Sequence, residues 1–180
     1  MKILSVSQNS TGAELGLKPG DKIEAIDGSR VRDVIDYRFK VSDENIVLRV
    51  RQDGTIQEYD IEKDYDDNLG LEFEDFRIRN CANDCIFCFV DQNPPGMRDA
   101  MYFRDGDFRM SFLHGHYITM TNMGWNEMKR VVDQRLTPLY ISVHVTQPDK
   151  RLENLNIWLK MELNSILKWS FVPVGMMENF

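Results

Sequence analysis

Cysteine is scarce in this 180-residue chain: Cys81, Cys85 and Cys88 are the whole complement, and they fall within eight residues of one another. An odd count without a secretory segment argues against a disulfide framework. Also missing is any apolar run long enough to span a membrane, and the opening Met1–Val6 is too short and too mixed for a signal peptide. Excess positive charge is absent too, with 22 Lys and Arg against 29 Asp and Glu and a net charge of -7. That balance argues against a partner held by its phosphate backbone, so no nucleic acid is expected, and the lack of a spanning run leads to the expectation of no membrane. The expectation is a cytoplasmic protein, a compartment that also keeps thiols reduced. Hydrophobic residues make up 42%, ordinary for a folded chain, and the length suits one large domain or two small ones.

Residues 1 to about 75 read as a small β-rich module. Ile3, Leu4 and Val6 open a strand, Ala13–Leu17 give a helical turn, and Lys18-Pro19-Gly20-Asp21 is a turn. Lys22–Asp27 reads as a strand closed by Asp27-Gly28, a pair suited to the positive φ of a tight hairpin. Asp33 is placed to cap a helix carrying Val34, Tyr37 and Val41, and Ile46, Leu48 and Val50 alternate with polar residues before the Asp53-Gly54 turn. Between Glu58 and Asp75 nine carboxylates face only Lys63, so Lys63–Asn68 reads as a solvated crossing between domains.

The segment G-L-K-P-G-D-K-I-E-A-I-D-G, Gly16–Gly28, resembles the PDZ domains of bacterial proteases. The resemblance implies a peptide or protein partner added as an extra strand, its carboxylate held by backbone amides, and Leu69-Gly70-Leu71-Glu72-Phe73 is similar to the loop that would hold it. Asp64, Asp66 and Asp67 just before that loop would repel a carboxylate.

The cysteines form the run C-A-N-D-C-I-F-C, a C-x3-C-x2-C spacing. Three thiolates are one fewer than a four-iron cluster needs and leave one iron open to chemistry. Zinc would accept the same thiolates with His114, His116 or His144 as fourth ligand. Around the run, Phe76 and Ile78 alternate as in a strand, and a second strand is expected at Met110–His114 or Tyr117–Thr121. A helix is expected at Trp125–Val132 and a buried parallel strand at Leu139–Val145. Strand, helix, strand in this order implies parallel α/β layering. Asp105, Asp107 and Arg109 read either as a proton relay or as a salt-linked loop.

After Cys88 the chain continues F-V-D-Q-N-P-P-G-M-R, then Y-F-R-D-G-D-F-R-M-S-F-L-H-G-H-Y-I-T-M-T-N and P-L-Y-I-S-V-H-V-T. These segments resemble the radical S-adenosylmethionine (SAM) enzymes, and among them the DUF512-type group, which joins a PDZ-like domain to a radical SAM barrel. The resemblance implies an α/β fold with a β-rich N-terminal module: a PDZ-like domain over 1–66 and the N-terminal part of an incomplete (β/α) barrel over 67–151. It implies a [4Fe-4S] cluster on Cys81, Cys85 and Cys88 with SAM on the open iron. It further implies reductive cleavage to a 5′-deoxyadenosyl radical acting on a substrate that it does not identify, with an electron donor such as a flavodoxin or ferredoxin. Phe87 is placed near the adenine, and Gly115, His116 and Tyr117 where the family holds the SAM amino group, His116 standing where the group has Asn. Ser142 and His144 are candidates for SAM or substrate contacts.

Only 35 residues follow Val145, too few to complete a barrel, which would leave the edge of that strand unpaired. Codons permitted for Met161–Phe180 can spell, one frame over, a C-P-G-W-N-D-G segment that resembles the family's continuation. Residues 152–180 are therefore read as a frameshifted tail on an incomplete fragment, which leaves open whether this chain is itself an enzyme. The alternative is a noncatalytic PDZ-like peptide-binding module carrying a structural metal site of three cysteines, with or without a histidine.

Overall fold

Alternating apolar residues and two Asp-Gly turns build the first part of the molecule. In the computed structural model, which describes residues 1–86, 88–143 and 167–171, the chain divides into two units, Met1–Arg77 and Ile78–Phe180. The first unit opens with β1 (Ile3–Val6) and a short α1 (Thr11–Glu14), followed by β2 (Lys22–Ile26), β3 (Ser29–Arg30), α2 (Val34–Lys40), β4 (Asn45–Gln52), β5 (Thr55–Glu62) and β6 (Leu71–Phe73). Both turn pairs take positive φ, 49° and 69° at Asp27-Gly28 and 48° and 84° at Asp53-Gly54. That twist matches the flanking strands. The result is an antiparallel sheet ordered β3-β2-β4-β5, with β1 and β6 paired antiparallel beside it. Asp33 caps α2 as the sequence predicts, its carboxylate accepting the N–H groups of Ile35 and Asp36 at 3.2 Å. Ile46, Leu48 and Val50 all point into the core with Ile23, Ile26 and Leu69.

The acidic stretch does not mark the crossing between units. Lys63 is buried: its N–H donates to the Glu44 carbonyl at 2.9 Å and its ammonium to the Asp64 carbonyl at 3.0 Å. Past it, Leu69 and Leu71 enter the core and Phe73 packs edge-on against Tyr37 with centroids 4.6 Å apart. The unit therefore runs through β6 to Arg77, beyond the boundary expected at residue 66. In the loop read as a carboxylate holder, the Gly70 N–H already donates to the Asn68 side chain at 3.1 Å. Gly70 itself is required, because its φ is 70° and a Cβ there would lie 2.3 Å from that of Ser10.

In the second unit a 3-10 turn (Asp99–Tyr102) leads to α3 (Phe108–His114), β7 (Tyr117–Ile118), α4 (Trp125–Asp133), β8 (Leu139–Val143) and β9 (Leu167–Phe171). Residues 76–79 are not a strand; the pairing there is a single bridge between Asn80 and Asp105. Met110–His114, one of two places expected for a strand, is helical because both ends of α3 are specified. Asp107 caps its start and Gly115, at φ 75°, ends it. The strand falls at the other place, Tyr117–Ile118, and α4 and β8 lie where periodicity puts them. Strands β7, β8 and β9 form one parallel sheet in that order. Parallel α/β layering thus stands, while the described residues contain three parallel strands and no closed barrel. The β8 edge expected to be bare carries β9. Apart from β9, the tail read as frameshifted lies outside the described residues, as do Phe87 and His144. No helix among the described residues is long and apolar enough to cross a membrane.

Asp107 anchors this unit. Its fully buried carboxylate accepts the Arg109 guanidinium at 2.5 and 2.9 Å and the Arg79 N–H at 3.1 Å, and Arg79 also pairs with Glu127 at 2.8 Å. The salt-linked reading of Asp107 and Arg109 is the one observed. Beside them the guanidinium groups of Arg79 and Arg130 both lie over the Phe108 ring, at 5.7 and 5.6 Å from its centroid. Burial alone would push the Asp107 carboxyl up, but the hydrogen bonds and charge of Arg109, with the Arg79 N–H, outweigh it and hold the group below the usual carboxylate range.

This packing predicts two outcomes. A fragment ending at Arg77 folds alone, whereas one ending at Asp66 loses β6 with Leu69 and Leu71, each buried leucine being worth about 1.5–3 kcal/mol. Urea unfolding of the two fragments, followed by circular dichroism, checks this. For Asp107→Ala, the lost cap alone costs about 0.5–2 kcal/mol at neutral pH. Because the folded carboxyl titrates below its unfolded value, its contribution is complete above about pH 4 and disappears as pH falls through the lowered folded value. The stability gap between wild type and variant should therefore shrink on acidification.

Candidate functional site

The cysteine loop is closed at its base by backbone pairing. The Cys81 N–H donates to the Arg104 carbonyl at 2.6 Å and the Gly106 N–H to the Arg79 carbonyl at 3.0 Å, on either side of the Asn80–Asp105 bridge. Gly106 is buried, and a Cβ there would lie 2.6 Å from Cys81 Cα, 2.8 Å from its nitrogen and 2.9 Å from Asn122 Nδ2. Only glycine lets the two segments approach this closely.

Arg104 ties down the rest of the loop. Its guanidinium donates through Nε to Asp91 Oδ1 at 2.9 Å and through Nη2 to Asp91 Oδ2. Through Nη1 it reaches Asp84 Oδ1 at 3.2 Å and the Asn83 carbonyl at 3.4 Å. Asn83 and Asp84 lie between the first and second cysteines, and Asp91 follows the third. One planar cation thus grips both halves of the run, the forked geometry in which Arg excels. Hydrogen bonds to the Asp91 and Asp84 carboxylates raise its pKa still further, with a smaller contribution from the Cys88 sulfur. A permanent positive charge therefore sits by the thiols.

The loop meets the carboxyl end of β7, the end at which parallel α/β sheets place their ligands. There Thr119 Oγ1 lies 3.6 Å from Cys81 Sγ and 3.0 Å from Thr121 Oγ1. Asn122 donates its amide to the Asn80 carbonyl at 3.0 Å. Thr119, Thr121 and Asn122 were not singled out from the sequence. The legible signal is the run T-M-T-N directly after a strand, together with the rule that chemistry collects at carboxyl ends.

Of the residues singled out, Gly115 and His116 precede β7, at its amino end. Gly115 ends α3, its N–H donating to the Ser111 carbonyl at 2.9 Å, and Tyr117 stacks edge-on against Tyr140 at 5.7 Å. His116 Nδ1 pairs with Asp105 Oδ2 at 2.6 Å, which joins it to the base of the loop. Ser142 is half-buried near the carboxyl end of β8, the same end of the sheet as Thr119. Cys81, Cys85 and Cys88 are reduced thiols, each partly buried.

The donor set fits a thiophilic metal group, and so do orphaned polar atoms beside it. Asn83 Nδ2, Asn83 Oδ1 and Asn122 Oδ1 are buried without hydrogen-bond partners among the described residues. Among the described residues no three Cys, His, Asp or Glu side chains are already gathered as a metal would need, so the thiols are presented on one loop rather than converged.

Residues 2–52 match the family model described as PDZ domain. Residues 63–171 match the one described as Radical SAM-like domain. No curated protein matches the chain. Because the second match covers more than half of its residues, the chain belongs to the radical SAM-like family.

Proposed function

We propose that this protein binds a [4Fe-4S] cluster through Cys81, Cys85 and Cys88, together with SAM, and acts as a radical SAM protein. The observation that carries this reading is the placement of three reduced thiols on a loop pinned by Arg104 and Gly106, with Cys81 against the carboxyl end of a parallel strand. Such a cluster supplies one-electron reductive cleavage of SAM, giving a 5′-deoxyadenosyl radical for hydrogen abstraction.

The chain's own residues have distinct duties. Gly106 and the Arg104 carbonyl fix the Cys81 backbone, and the Arg104 guanidinium holds the spacer and offsets thiolate charge. Thr119, Thr121, Asn122 and Ser142 supply polar groups at the carboxyl ends of β7 and β8, suited to the amino and carboxylate groups of the cosubstrate. His116 steadies Asp105 and through it the loop base. A flavodoxin- or ferredoxin-type donor, and a peptide at the PDZ-like unit, are the partners this reading calls for.

After anaerobic reconstitution, wild-type protein should be brown and hold about four irons with matching sulfide per chain. Replacing any one of the three cysteines by Ala should remove most of both, since a site with one iron already open cannot spare a second thiolate. Normal iron in all three variants, or zinc in place of iron, would sink the proposal. Gly106→Ala should lower cluster occupancy several-fold by displacing Cys81, and a fully loaded Gly106→Ala protein would show that the tight loop base is not needed.

A further inference from the structure

The spacer between the first two cysteines is Ala82-Asn83-Asp84, and its burial is uneven: Ala82 and Asp84 are exposed while Asn83 is 5% exposed. Turning Asn83 inward is the work of Arg104, which holds the Asn83 carbonyl and the Asp84 carboxylate from outside. Yet among the described residues neither atom of the Asn83 amide has a hydrogen-bond partner. A buried, unpartnered amide costs stability, whereas an apolar side chain of similar size would fill the same space without that cost. Asn83 caps no helix and supports no turn through its side chain. It stands two residues from Cys81 and two from Cys85, on a loop whose thiols have yet to converge.

We propose that the Asn83 amide donates a hydrogen bond to a sulfur of the cluster held by the three thiolates, and that this bond raises the cluster's reduction potential. The inference rests on the cluster reading above. Hydrogen bonds to cluster and thiolate sulfurs are among the factors that set such potentials. The sign follows from charge: the reduced cluster carries one more negative charge, so an N–H donor stabilises it more than the oxidised form. A buried water satisfying the amide would give no such coupling.

The test is a potentiometric titration, read by electron paramagnetic resonance, of the anaerobically reconstituted full chain and of Asn83→Leu and Asn83→Asp. The expected order of midpoint potentials is wild type highest, Asn83→Leu lower and Asn83→Asp lowest, because the last replaces the donor with a negative charge. Thermal unfolding of the iron-free chains completes the experiment. Asn83→Leu should melt no lower than wild type, since without the cluster the amide has no partner to lose. Wild-type potentials in both variants, or an iron-free Asn83→Leu chain melting well below wild type, would overturn the proposal while leaving the cluster reading intact. A wild-type chain that takes up no iron and sulfide would instead refute the cluster reading, and this inference with it.

Discussion

Arg104 is the residue on which the cysteine loop depends. Its carbonyl receives the Cys81 N–H, and its guanidinium spans Asp84 and Asp91 across the run. The loop leaves the apolar side chains of Ile86 and Phe89 exposed. Charge-assisted hydrogen bonds therefore replace packing as the source of order there. They also fix which spacer residue turns inward, and they keep a cation near the cysteine sulfurs.

The rest of the second unit carries that loop to the sheet. Asp107 joins Arg79, just before the cysteines, to the start of α3, and the Phe108 ring next to it contacts the guanidinium groups of Arg79 and Arg130. Helix α3 then returns the chain to β7, whose carboxyl end meets Cys81 through Thr119. The order loop, helix, strand thus brings residues nearly forty positions apart to within 3.6 Å. The first unit has a core and hairpins of its own.

What was legible in the sequence was local. The Asp27-Gly28 and Asp53-Gly54 turns, the Asp33 cap and the alternation through Ile46, Leu48 and Val50 each act over a few residues, and each appears where expected. The cysteine spacing was legible for the same reason. Met110–His114 was not, because a short apolar run fits strand and helix alike until its caps are recognised. Lys63 was misplaced because a lone cation among carboxylates reads as solvated, whereas its stem is buried and its ammonium bonds to backbone. Gly106, Arg104 and the Asn83 amide were hidden for a different reason: each owes its importance to a segment far along the chain or to an absent partner, and no local pattern encodes either.

The central claim is that three thiolates leave one iron of a cluster open for SAM. Electron paramagnetic resonance of the anaerobically reconstituted, reduced chain, recorded with and without SAM, tests it most directly. The account predicts the signal of a reduced four-iron cluster, and a change in that signal when SAM is added. A colourless protein holding zinc, or a cluster signal that SAM leaves unchanged at saturating concentration, would contradict it.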